Sequence, residues 1–182
     1  MTTWTDFPLL ATSRLILRQI VASDLPAIFQ GLSNPSISYY YGVSYSKLAD
    51  TQAQLDYYQR EFHEGTALWW GLALREQPDK LIGSCGLHGL VAEHYQSELG
   101  FWILPDYAGQ GLMNEAVAAI VDYSFQQLKL HRLQALVDTS NHACLKLLRA
   151  QQFICEGVMR EAEYKAGRFH DLFCLARLNP KE

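Results

Sequence analysis

The 182-residue chain is 49% hydrophobic and 19% charged, with a formal net charge of −4. That balance excludes a disordered polymer, and the lack of a basic stripe argues against a nucleic-acid partner. No apolar run approaches the roughly 20 residues of a membrane span, and the first residues lack the basic and apolar regions of a signal peptide. Cys85, Cys144, Cys155 and Cys174 form no C-x-x-C pair and no ligand spacing with the histidines. The expectation is a single domain over 1–182, cytoplasmic, with reduced thiols, no metal and no membrane partner.

In chain order, 12–18 alternates as a strand around Leu15 and Leu17. Ser23-Asp24-Leu25-Pro26 opens a helix with a capping side chain and an early proline. Leu25, Ile28, Phe29 and Leu32 give it one apolar face, and Asn34-Pro35 breaks it. A second helix is expected over 46–64, with Leu48, Leu55, Tyr58 and Phe62 buried and Gly65 as its C-terminal cap. Strands follow at 68–74, 81–87 and 97–104. A strong helix at 114–128 carries Val117, Ile120, Val121, Phe125 and Leu128 on one face. Then come a strand at 133–138, a helix at 141–151, and strands at 153–163 and 170–178 forming a hairpin around Ala166-Gly167. Consecutive strands imply antiparallel pairing; the strand–helix–strand step after Leu104 implies a parallel pair. The class is α/β, a mixed, mostly antiparallel sheet of about seven strands with flanking helices.

The densest signal is Ala108-Gly109-Gln110-Gly111-Leu112-Met113-Asn114-Glu115-Ala116. A strand end runs through a two-glycine turn into a helix start. Without side chains at Gly109 and Gly111 the backbone can approach a ligand closely. The free N–H groups and the positive end of the helix dipole attract phosphate oxygens. A plain tight turn explains the same residues about equally well. A dinucleotide fingerprint needs a third glycine where Asn114 stands. A Walker loop needs a lysine and a hydroxyl after Gly111.

This segment resembles the acetyl-CoA pyrophosphate loop of the GNAT superfamily, and more narrowly its RimJ/RimL-like branch, which acetylates ribosomal-protein N-termini. The resemblance extends in order through Thr12–Arg18, Asp24, Asn34-Pro35, Leu81-Ile82-Gly83, Glu98-Leu99-Gly100-Phe101-Trp102, Asn141 and Phe153 to Glu156-Gly157. It departs at Ala108, Met113, Cys144 and Gln152. The branch often carries tryptophan, glycine or alanine, serine and glycine at these positions. The tyrosine that many members place late in the helix after Asn141 is missing from Lys146–Arg149.

The resemblance implies a GNAT fold with a cofactor cleft at splayed central strands. It implies an acetyl-CoA-dependent N-acetyltransferase, direct transfer in a ternary complex, and an amine acceptor such as a ribosomal-protein N-terminus. The chain would act as a monomer or homodimer. Residues expected to hold the co-substrate are Phe101, Trp102 and Ile103 on the strand, Gly109, Gln110, Gly111, Leu112, Met113 and Asn114 in the loop, and Asn141. Asn141 reads equally as a helix N-cap.

Glu98, a carboxylate among apolar strand residues, is the candidate base; burial would raise its pKa toward proton acceptance. An exposed or ion-paired carboxylate is the alternative. Cys144, in the first turn of a helix, is a candidate acid whose pKa the helix terminus would lower, or else a small packing residue. Tyr39, Tyr40, Tyr41 and Tyr164, with His170, are candidates for the acceptor side, though scattered surface or core aromatics explain them about equally well; the other histidines read as solvent-exposed or structural. At pH 7 roughly a tenth of an α-amino group is already neutral, against about a thousandth or less of a lysine. An enzyme for N-termini therefore needs modest base assistance. A small-amine acetyltransferase of aminoglycoside or polyamine type and a non-catalytic acyl-CoA-binding module are the rival readings.

Overall fold

A computed structural model describes Trp4 and residues 6–180. Leu15 and Leu17 of β2 (Leu15–Gln19) are fully buried, while Ile16 and Arg18 are only partly so. The alternation thus sets which face meets the core. β3 (Leu68–Leu74) has the expected bounds and is covered on both faces: Leu68, Trp70 and Leu72 enter one core and Trp69 the other. It pairs with β2 and with β4 (Gly83–Val91), and β4 pairs with β5 (Gln96–Ile103), all antiparallel. After α4 (Leu112–Gln126), β6 (Arg132–Asp138) lies parallel to β5, as the strand–helix–strand step implies. α5 (His142–Ala150) leads to the hairpin of β7 (Ile154–Lys165) and β8 (Arg168–Leu178), which turns at Ala166 and Gly167 with φ of 51° and 79°.

The sheet order is β1-β2-β3-β4-β5-β6-β8-β7, an open mixed sheet of eight strands. The strand beyond the expected seven is β1 (Leu10–Ala11), two residues too short to show a period. α4 and α5 cover one face, with Val117, Ile120, Leu145 and Leu148 in its core. α1 (Leu25–Leu32) and α3 (Gln52–Glu64) supply Ile28, Leu32, Leu55 and Tyr58 to the core on the other. Asp24, 2% exposed, accepts from the Val21 N–H at 2.9 Å and from both terminal nitrogens of Arg18 at 2.8 Å. This pairing anchors the entry to α1.

Expectations shift at Asn34-Pro35 and at α3. Asn34-Pro35 ends α1 but also starts α2 (Pro35–Tyr41): Asn34 Oδ1 accepts from the Ser36 N–H at 2.9 Å and proline takes the first helical position. α3 begins at Gln52 after a 3₁₀ turn over Ala49–Thr51, which leaves Leu48 44% exposed. Gln152, where the family places glycine, is left-handed at φ 63°, at a cost of about 1–2 kcal/mol.

The feature that positions the site is a parting of strands. β5 and β6 pair only at Gln96↔Arg132, Ser97↔Leu133 and Glu98↔Gln134. From Leu99 onward β5 keeps β4 on one side and faces a gap on the other.

Candidate active site

The gap opens into a cavity of about 1150 Å³. Its floor is the start of α4. Gly109 and Gly111 have φ of 74° and 77°, and a Cβ added at Gly109 would meet nothing within 4 Å. No side chain caps α4, and Glu115 N–H donates to Gly111 O at 3.1 Å. The N–H groups of Leu112, Met113 and Asn114 precede that bond, and all three residues line the cavity. Phosphate oxygens fit such a cradle.

The loop is braced from β2. Arg14 donates to Gln110 O at 2.9 Å and, through Nε, to Glu115 at 2.8 Å. Glu115 also accepts from the Arg14 N–H at 2.8 Å, from Ser13 Oγ at 3.1 Å and from the Thr12 hydroxyl. Burial pushes the Glu115 carboxyl up, but these bonds outweigh it and hold its pKa down to about 2. A carboxylate whose folded pKa lies below its unfolded value stabilises the protein above the unfolded pKa. That contribution fades as pH falls from about 4.5 toward 2. Glu115→Gln is therefore expected to cost roughly 1–2 kcal/mol at pH 7 and much less at pH 3. Urea unfolding of both proteins at the two pH values checks this; an equal loss at both would refute the charge-based brace.

Phe101, Trp102 and Ile103 all line the cavity. Trp102 is buried, and its indole N–H donates to Tyr58 Oη at 3.4 Å. In the loop Leu112, Met113 and Asn114 line it too, but the Gln110 side chain turns back to donate to Asp106 O at 2.8 Å. Gln110 is absent from the lining, although the expected binding stretch includes it.

Glu98 faces the cavity with its side chain 24% exposed. Gln134 donates to it at 3.5 Å, and His88 Nε2 lies 3.8 Å away. The sequence reading missed His88, whose ring stacks on Trp69 at 5.5 Å with 7° between planes and lines the same cavity. Burial lowers its pKa against the pull of Glu98 and Glu61, so it stands neutral beside Glu98 at pH 7. The link is the register pair His88↔Glu98, which becomes readable only once the hairpin register is known.

Asn141 is an N-cap, its Oδ1 accepting from the Cys144 N–H at 3.1 Å, and it also lines the cavity. Cys144 lines it as well, but the expected lowering of its pKa is reversed: burial pushes the thiol up to about 12. A thiol held that high is a poor proton donor. Cys144→Ala should accordingly keep turnover within about twofold. A tenfold loss in steady-state rate would restore an acid role.

The four tyrosines divide. Tyr40 and Tyr41 line the cavity, together with Tyr45 and Tyr57, which the sequence reading did not single out. Tyr39 lies behind them against His170, ring centroids 5.9 Å apart. Tyr164 is 65% exposed and packs on Phe169 at the hairpin tip, off the cavity.

The acetyltransferase (GNAT) domain profile matches residues 14–154, a stretch that contains β5, the two-glycine loop and Asn141. The chain belongs to the GNAT acetyltransferase family. It is 34% identical to the uncharacterized N-acetyltransferase YoaA of Bacillus subtilis, over 97% of this chain and 99% of that one. It is 25% identical to the ribosomal-protein-serine acetyltransferase of Escherichia coli over 55% of this chain and 56% of that one. Among solved structures, the spermidine N-acetyltransferase of Vibrio cholerae, determined with CoA and spermine, superposes with a TM-score of 0.82 at 26% identity, covering 93% of this chain and 98% of that one. The chain is thus an acetyl-CoA-dependent N-acetyltransferase.

Proposed function

We propose that the acceptor is a single α-amino group at the N-terminus of a peptide or protein, such as a ribosomal protein. The observation that carries this reading is the charge of the cavity wall. Only two acidic residues, Glu98 and Asp138, are among the described residues that line it. Asp138 is already paired with Lys165 at 2.8 Å. That leaves Glu98 beside a neutral His88 as the one uncompensated carboxylate. One carboxylate suits one ammonium; a polyamine would bring several cations to a wall that also carries Lys146 and whose other residues include Ile37, Tyr40, Tyr41, Tyr45, Tyr57 and Trp69. Desolvating unpaired ammonium groups there is costly.

Acetyl-CoA supplies the thioester carbonyl as electrophile and a thiolate as leaving group. The N–H groups from Gly109 to Asn114 would hold its phosphates. The unpaired backbone of β5 beyond Glu98 would hold its pantetheine arm, with an N–H between Phe101 and Ile103 turned to the carbonyl oxygen. Asn141 adds an amide at the cavity wall. Glu98 would accept the amine proton, directly or through one water. Solvent, rather than Cys144, would return a proton to the thiolate.

The polyamine reading has one specific support, the likeness to the V. cholerae enzyme solved with spermine. Intact-mass detection of acetylation on a panel of N-terminal peptides and polyamines separates the two. Turnover of polyamines and none of the peptides would overturn the α-amine reading.

A further inference from the structure

The charge that Lys165 places beside Asp138 has a larger setting. Asp138 closes β6 at the cavity wall with its side chain 3% exposed. Its Oδ1 accepts from the Ser140 N–H at 2.8 Å and from Ser140 Oγ at 2.6 Å, and its Oδ2 lies 3.0 Å from His170 Nδ1. Lys165 Nζ sits 2.8 Å from Asp138 and 2.8 Å from Glu163. It also lies 4.8 Å from the centroid of the Tyr39 ring and 5.6 Å from that of Tyr40. Two carboxylates and two aromatic rings are the chemistry with which a protein holds a substrate ammonium. Here the ammonium is the chain's own, delivered from the hairpin that packs beside the acceptor wall.

We propose that Lys165 is a specificity-determining residue: its ammonium, held against the cavity-lining Asp138 and Tyr40, occupies a cation site beside the cavity and so excludes the second ammonium of a diamine or polyamine. The inference rests on the α-amine reading and says how the wall enforces it. Without Lys165, Asp138 would be a nearly buried carboxylate short of its cation, an arrangement that demands a replacement charge. The same residues hold the wall in place. None of α2's side chains is fully buried, although Ile37 and Tyr41 pack against the core. Its links to the hairpin run through the Lys165 ammonium and through Tyr39 Oη, 3.5 Å from His170 Nε2. Tyr40 Oη also reaches Ser140 Oγ at 3.5 Å. The cation therefore sits where the site's electrostatics and the position of the tyrosine helix are set together.

The test uses Lys165→Ala and Lys165→Arg in the full chain, with 1,4-diaminobutane and a peptide N-terminus as acceptors. In Lys165→Ala the kcat/KM ratio of diamine to peptide should rise at least tenfold over wild type; in Lys165→Arg, which keeps a cation in place, it should stay within threefold. Thermal unfolding gives a readout independent of catalysis. Propylammonium chloride should raise the Tm of Lys165→Ala saturably, above any effect of equal sodium chloride, and leave wild type unmoved. If Lys165→Ala folds only with propylammonium, the cation site is supported directly. An unchanged ratio, an equal rise in Lys165→Arg, or a Lys165→Ala protein insensitive to propylammonium would overturn the proposal. Wild-type turnover of the peptide decides the α-amine reading on its own. The change from wild type to variant decides the role of Lys165, so the two failures are distinguishable.

Discussion

A chain carrying Gly111→Val should bind acetyl-CoA on the order of ten- to a hundredfold more weakly, a loss of ~1.4–2.8 kcal/mol, while remaining folded. The reason is local. Gly111 stands at φ 77°, where a β-branched residue is strained. A Cβ built there meets the Arg14 guanidinium at 3.5 Å, an ordinary contact that the surrounding fold tolerates. What it obstructs is the close approach of a phosphate to the N–H groups of Leu112, Met113 and Asn114, which have no acceptor within the first turn of α4. Calorimetric titration with acetyl-CoA, with circular dichroism to confirm folding, measures the effect. An affinity equal to that of wild type would show that the loop does not carry the co-substrate.

Glu98→Gln should lower kcat/KM by about ten- to a thousandfold at pH 7, the range of general base catalysis. The substitution keeps the shape of the side chain and its place beside His88 and Gln134 but removes the proton acceptor. For an α-amine the deficit should shrink through pH 8–9, because the amine then loses its proton in solution. For a lysine-like amine it should persist past pH 10. The profile thus reports the role of Glu98 and the kind of acceptor in one measurement. A deficit constant from pH 6.5 to 9.5 on a peptide N-terminus would make Glu98 a binding or structural carboxylate instead.

What the sequence made legible follows the range of the forces involved. β3 could be placed to the residue because a run of apolar and aromatic side chains between turn signals is local information. The two-glycine loop and the Asn141 cap were equally readable, since their chemistry lies within a few consecutive residues. α2 was not, because Asn34-Pro35 stops one helix and starts the next with the same two residues. The brace of Glu115 by Thr12, Ser13 and Arg14 spans about a hundred positions, and Tyr39 meets His170 across 131. No window along the chain contains such pairs. The pKa direction expected for Cys144 was reversed for a different reason: the helix terminus that lowers a thiol's pKa was visible, but the burial that outweighs it depends on how α5 packs.

The parting of β5 from β6 leaves one strand with two kinds of amide. Successive residues of a strand point their N–H groups to opposite neighbours. Beyond Glu98, every second amide of β5 is therefore tied to β4 while the others face the gap. In amide hydrogen exchange the segment Leu99–Ile103 should consequently read as an alternation of slow and fast sites, where a fully paired central strand would be uniformly slow. Saturating acetyl-CoA should slow the fast set selectively, so that β5 acquires the exchange profile of an interior strand with the co-substrate standing in for its missing neighbour.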